Sequence, residues 1–176
     1  MIRRGSGGDL AALTAIYNHY IRETAITFDL EPYTALQRRP WLESFAEAGR
    51  HQLFVAEEAD QVVGYACSRG FRDKRAYDTS AETSVYLAPN AHRRGLGTAL
   101  YTRLFEALAS ADVHRFIAGV TLPNDASIAL HARFGFERVG VMHEVGRKFG
   151  RYWDVLWMEK PGGGVTSDRG GTASES

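Results

Sequence analysis

Apolar residues along this chain follow two rhythms, a period of two and a period near 3.6, and the switches between them mark the elements. Ile2-Arg3-Arg4 reads as a short opening strand. Asp9 stands where an N-cap belongs, and Leu10, Leu13, Ile16, Tyr17 and Tyr20 then share one helical face. A loop carries Thr24 to Asp29. Pro32 and Thr34 open a second helix through about Ala48, which Pro40 must break or kink, because it lacks an N–H and its ring crowds the turn before it. Residues 52–58 and 61–68 alternate as strands, and Ala59-Asp60 between them is a hairpin signal. Residues 82–88 form another strand, ended by Pro89-Asn90. Leu96, Leu100, Leu104 and Leu108, with Tyr101 and Phe105 beside them, make residues 95–110 a helix. Residues 114–120 are a strand, and 124–134 a helix stopped by Gly135. Residues 137–145 and 152–159 close the chain as a strand pair. The order βααβββαβαββ predicts an α+β domain with a central, mostly antiparallel sheet.

The domain spans about residues 1–160; residues 161–176 are Gly/Ser/Thr-rich, have no aromatic residue and read as a disordered tail. A chain of 176 residues with 44% hydrophobic and 24% charged residues suits one globular core. Lys+Arg is 21 and Asp+Glu is 21, so no net charge draws the molecule to nucleic acid or an anionic membrane. Any bound anion must be held by local groups. No apolar run approaches the ~20 residues that cross a bilayer, and Met1-Ile2-Arg3-Arg4-Gly5 has no signal-peptide character. The lone Cys67 reads as a buried structural thiol in a reducing compartment, so a cytoplasmic location is expected. His19, His51, His114 and His143 lack metal-ligand spacing, and no metal is expected.

The most informative stretch runs from Val85 to Thr98, where a strand enters a tight turn and the turn enters a strong helix. Gly95 and Gly97 allow close backbone approach, the helix start offers unpaired N–H donors and the positive end of its dipole, and Arg93 and Arg94 add charge. Together these suit a pyrophosphate. The Lys-Ser/Thr of a P-loop is missing, as is the third glycine of a dinucleotide fingerprint.

His92-Arg93-Arg94-Gly95-Leu96-Gly97 resembles the acyl-CoA loop of the GNAT acetyltransferases, Gln/Arg-x-x-Gly-x-Gly/Ala, with His in the first position. Ala15 to Ile21, Phe71-Arg72 with Ala76-Tyr77-Asp78, Ala81 to Tyr86, Leu122 to Asp125 with Ser127, Gly135-Phe136 and Gly150 to Val155 extend the likeness over nearly residues 2–158, and are similar to the phosphinothricin acetyltransferase branch. The resemblance implies the GNAT fold: a mixed sheet of six to seven strands with a splayed pair, flanked by four helices. It implies acetyl-CoA as cosubstrate, a small-molecule amine as acceptor, and a homodimer built partly by the C-terminal strands.

Acetyl transfer from a thioester needs a base for the amine, a donor for the oxyanion and stabilisation of the leaving thiolate. Glu82 is the expected base. Val85, Tyr86 and Leu87 are expected to offer backbone groups to the pantetheine arm, and Leu96 and Thr98 to join Arg93, Arg94, Gly95 and Gly97 around the phosphates. Asn124 is either a cofactor contact or only an N-cap, with Ser127 one turn on. His131 occupies the position where many relatives carry a tyrosine that acts as general acid; it is either a donor to the thiolate or a structural imidazole. Arg72, Lys74 and Tyr77, with Phe28 walling the site, suit an acceptor bearing a carboxylate or phosphinate. In this branch the acceptors are phosphinothricin, methionine sulfoximine and methionine sulfone. Two other readings stay open: transfer to another amine (a polyamine, an aminoglycoside or a protein N-terminus), and an acyl-CoA-binding module without turnover.

Overall fold

The computed structural model describes residues 1–92 and 94–163, so Arg93 and the greater part of the expected tail lie outside the described residues. Eleven main elements follow the expected order: β1 (Ile2–Arg4), α1 (Leu10–Glu23), α2 (Ala35–Glu43), β2 (Leu53–Glu58), β3 (Gln61–Gly70), β4 (Ser80–Leu87), α3 (Leu96–Leu108), β5 (Arg115–Thr121), α4 (Asp125–Arg133), β6 (Glu137–Lys148) and β7 (Arg151–Pro161). The strands form one seven-stranded sheet in the order β1-β2-β3-β4-β5-β7-β6. Every neighbouring pair is antiparallel except β4 and β5.

Strand alternation sorts side chains onto two cores. On β2, Phe54 and Ala56 join Leu100, Leu104 and Leu108 of α3, while Leu53 and Val55 join Leu13, Ile16 and Tyr20 of α1. The four-residue leucine repeat of α3 is thus the stripe that seats it on the sheet, with Leu100 and Leu104 wholly buried.

Three local expectations change. Asp9 starts α1, but its carboxylate accepts from Arg3 at 2.8 Å and from the Ser6 N–H at 2.7 Å rather than capping the helix. The Arg3 guanidinium holds that carboxyl below the usual range. Helix α2 is capped by Thr34, which accepts from the Gln37 N–H at 3.2 Å, and it stops at Glu43 instead of Ala48. It keeps Pro40 inside, since the carbonyl deprived of a donor belongs to Leu36, on an exposed turn. Strand β6 runs to Lys148, past the expected Val145. It passes through an irregularity between Met142 and Gly146, where Asp154 accepts from the Glu144 N–H at 2.8 Å and restores pairing.

Replacing Leu104, wholly buried between the sheet and α3, should cost about 2–5 kcal/mol for Leu104→Ala. Urea unfolding with an unchanged m-value would check this.

Candidate active site

Strand β4 departs from its parallel partner almost at once. Ser80, Ala81 and Glu82 pair with Arg115, Phe116 and Ile117, and the pairing then ends. Beyond that point β5 continues against β7 and β4 against β3, so residues 83–87 keep one sheet neighbour only. Alternation gives the splayed stretch two functions. Val85 and Leu87 look into one cavity, and Glu82, Ser84 and Tyr86 into another.

The first cavity, about 660 Å³, is bounded by the turn into α3 and by α4. Gly95 takes a left-handed conformation (φ 75°, ψ 0°), which aims the chain into α3. A Cβ on Gly97 would come within 3.3 Å of the Leu130 side chain, a tight contact across the space between α3 and α4. Leu96, Thr98, Asn124 and Ser127 line it as expected, and His92 lines it too. Asn124 is an N-cap: its Oδ1 accepts from the Ser127 N–H at 3.1 Å. It also lines this cavity, so the N-cap geometry leaves a cofactor contact open to it. The Tyr20 hydroxyl donates to the last carbonyl of β4, on Leu87, at 2.7 Å. Arg94 departs from expectation. It is paired with Glu58 at 2.9 Å, at the end of the β2–β3 hairpin, and is not among the lining residues.

The second cavity, about 490 Å³, is lined by Glu82. Its floor is the β3–β4 ladder, in which Glu82 stands directly across from Arg69. Burial pushes the Glu82 carboxyl above its usual range, and the positive charges of Arg69 and Arg72 oppose that shift only in part. Phe28 enters from the loop between α1 and α2, and its ring fills the space above Gly146. That loop is pinned: Lys148 donates to the Thr27 carbonyl at 2.7 Å, and Asn18 exchanges two hydrogen bonds with the Tyr33 backbone. The Tyr17 hydroxyl holds it from α1, through Thr27 and Asp29 at 2.7 Å each.

Other expected residues fall outside this cavity. Arg72 lies over the Phe71 ring at 4.8 Å, and Tyr77 sets its edge on the same ring at 5.9 Å. Lys74 is an exposed residue leading the turn Arg75–Tyr77. None of the three lines the Glu82 cavity, although the charge of Arg72 reaches the Glu82 carboxyl. His131 lines neither cavity. It is buried, its Nε2 stands 2.9 Å from the Tyr101 hydroxyl, and its Nδ1 stands 2.8 Å from the Ser127 carbonyl. Burial lowers its pKa. This placement favours the structural imidazole over the thiolate donor. Arg69, Tyr17, Thr121 and Trp157, not singled out from sequence, do line the Glu82 cavity. The alternation Tyr65, Cys67, Arg69 was the available signal for the first of them. Cys67 is buried as expected, and burial pushes its thiol up to about 12. Among the described residues no group of three or more His, Cys, Asp or Glu is placed to hold a metal, and no helix is long and apolar enough to cross a membrane.

The splayed parallel pair, the glycine turn at the start of α3 and the half-buried Glu82 carboxylate beside the gap are the arrangement that the resemblance to acyl-CoA transferases implied. The acetyltransferase (GNAT) domain family matches residues 2–157, and the chain belongs to it: it is an acetyl-CoA-dependent N-acetyltransferase. It is 57% identical over 162 residues to a phosphinothricin N-acetyltransferase of Streptomyces coelicolor, covering 91% of this chain and 95% of that one. It is 34% identical over 158 residues to an L-methionine sulfoximine/L-methionine sulfone acetyltransferase of Pseudomonas aeruginosa, covering 90% of this chain and 92% of the relative. The crystal structure of a phosphinothricin acetyltransferase from Sinorhizobium meliloti in complex with acetyl-CoA superposes with a TM-score of 0.87. Its sequence is 30% identical, and the match covers 98% of this chain and 94% of that one.

The raised Glu82 pKa also carries a stability signature. A carboxyl whose folded pKa exceeds its unfolded one binds its proton more tightly in the native state, so the ionised form weighs against folding as pH rises. Glu82→Gln should therefore raise the melting temperature by a few degrees near pH 8, and the gain should vanish below about pH 4, where both states are protonated. Calorimetric melts across pH would show it.

Proposed function

We propose that the chain acetylates the α-amine of a small amino-acid-like acceptor of the phosphinothricin, methionine sulfoximine or methionine sulfone type, with Glu82 as general base. The observation that carries this is the Glu82–Arg69 pair across one rung of the β3–β4 ladder, in a cavity that shares Ile26 with the space behind Gly95. An α-amino acid presents an amine and a carboxylate on adjacent atoms. Glu82 suits the first and Arg69 the second, with Arg72 adding long-range attraction. Two cations here also disfavour polyamines and aminoglycosides.

The residues behind the turn suit acetyl-CoA. The N-terminal donors of α3 and the unhindered Gly95 and Gly97 fit a diphosphate, and the apolar Val85, Leu87 and Leu130 fit the pantetheine arm. The Leu87 N–H donates to the Tyr20 hydroxyl at 3.3 Å; the other N–H groups of residues 83–87 that point away from β3 have lost β5 as a partner, and they can donate to the arm and to the thioester oxygen. Desolvation makes Glu82 a stronger base than an exposed glutamate, closer to the pKa of the proton it must take. His131 holds α4 against Tyr101, and no protein donor to the departing thiolate is assigned. The acceptor is a small molecule and not a nucleic acid or a membrane. A homodimer is proposed on the face of β6, the sheet's last strand, where Val139, Val141, Met142 and Val145 are exposed. A cytoplasmic location fits the free Cys67 thiol.

Glu82→Gln should lower kcat by roughly 10²–10⁴-fold while calorimetric affinity for acetyl-CoA changes little. In the unsubstituted enzyme kcat/KM should fall on the acid side with an apparent pKa above the ordinary glutamate range, and that limb should be missing from the residual activity of the variant. Normal turnover in Glu82→Gln would remove the residue from the mechanism. Gly97→Trp should keep its circular dichroism spectrum and lose acetyl-CoA binding; retained binding would count against the assigned turn.

A further inference from the structure

A compartment on the α2 side of the Glu82 cavity has a composition that the transfer step leaves unexplained. It encloses about 400 Å³ and shares Tyr17, Cys67, Arg69, Ser84 and Tyr86 with the Glu82 cavity. The β3–β4 ladder orders the common floor: Glu82 faces Arg69, then Ser84 faces Cys67, then Tyr86 faces Tyr65. Each such step advances about 6.6–6.8 Å along the strands. The compartment is thus a continuation of the acceptor cavity away from the base.

Arg38 of α2 closes its far end. The guanidinium lies 4.1 Å from the centre of the Tyr17 ring, 3.9 Å from Trp41 and 5.9 Å from Tyr33. Arg38 is 5% exposed, and it forms no ion pair among the described residues. It lines the compartment together with Tyr65 and Cys67, and its positive charge opposes the upward push of burial on both. Arg38 stands near the hydroxyl of Tyr65, itself 1% exposed, but neither the Arg38 Nε nor that hydroxyl makes a well-formed hydrogen bond within the protein. Aromatic faces stabilise a buried guanidinium but accept no N–H in its plane, and a buried donor without an acceptor is costly. Asp29 also lines the compartment, with its carboxylate accepting the Tyr17 hydroxyl at 2.7 Å. The fixed charges are then Arg38 and Arg69 against Asp29, a positive excess.

We propose that this compartment receives the far end of the acceptor's side chain, where Arg38 and Tyr65 select amino acids ending in strongly hydrogen-bond-accepting oxygens, as in a sulfone, a phosphinate or a carboxylate. The assignment rests on the amino-acid acetyl transfer proposed above. With the amine at Glu82, an acceptor of four bonds reaches about 5 Å, most of the way to the second rung and toward the compartment that Arg38 lines. A terminal oxygen there satisfies donors that an apolar terminus leaves unpaired, and a site built on such donors discriminates strongly against the analogue that lacks the oxygen. The selectivity element is therefore the buried Arg38 rather than the exposed Lys74 and Tyr77.

The test compares methionine sulfone with methionine, acceptors of equal length that differ by the two oxygens on sulfur, with the full chain and saturating acetyl-CoA. The unsubstituted enzyme should prefer the sulfone at least tenfold in kcat/KM. Arg38→Met should lower the sulfone-to-methionine ratio at least tenfold, chiefly through KM for the sulfone. Tyr65→Phe, which removes one oxygen and no volume of note, should lower it several-fold and keeps the test open if Arg38→Met fails to fold. A ratio unmoved in a folded variant, or equal losses for both acceptors, would overturn the assignment while leaving amino-acid acetylation in place. An unsubstituted enzyme that binds acetyl-CoA and acetylates neither compound would overturn the acceptor class, and this subsite with it.

Discussion

The whole site depends on how briefly β4 and β5 stay together. Three residues pair and then the strands part. A parallel pair inside a sheet normally continues, because every unpaired backbone group in the interior is costly. Here the sheet stays intact on both outer sides of the gap, through β3 and β7. The interruption therefore opens a slot in an otherwise rigid layer, with Glu82 on the last paired rung. The glycine turn that follows β4 puts the start of α3 at one mouth of that slot, and the cavity over Arg69 lies at the other.

Much of this was legible along the chain. All eleven elements came in the expected order, because each carries its period plainly and its ends carry turn chemistry: Thr34 before α2, Ala59-Asp60 between β2 and β3, Gly135 after α4. The glycine turn and Glu82 were also visible, being local patterns. What was not visible was the aim of long side chains across the sheet. Arg94 is claimed by Glu58, from a hairpin distant in sequence. His131 is claimed by Tyr101 of the preceding helix. Arg72 and Tyr77 gather on Phe71 instead of entering the cavity. Arg69 shows the converse: its alternation with Tyr65 and Cys67 was a weak signal along the chain, and its rung partner Glu82 across the ladder makes the placement plain.

The electrostatics of the site follow from one asymmetry. Glu82 is desolvated while Arg69 is exposed to the cavity mouth, so the attraction between them is partly screened and does not cancel the cost of burying the carboxylate. The result is a carboxyl raised above its ordinary range rather than locked in an ion pair, which suits the general-base role proposed for it.

The loop between α1 and α2 settles a question of access. It is tied by Lys148 at Thr27, by Asn18 at Tyr33 and by Tyr17 between them. A segment stapled at Thr27, Asp29 and Tyr33 to two separate elements, α1 and β6, behaves as masonry, not as a hinged door. Acceptors therefore enter and products leave through a fixed opening, and traffic through it needs no gating motion of this segment.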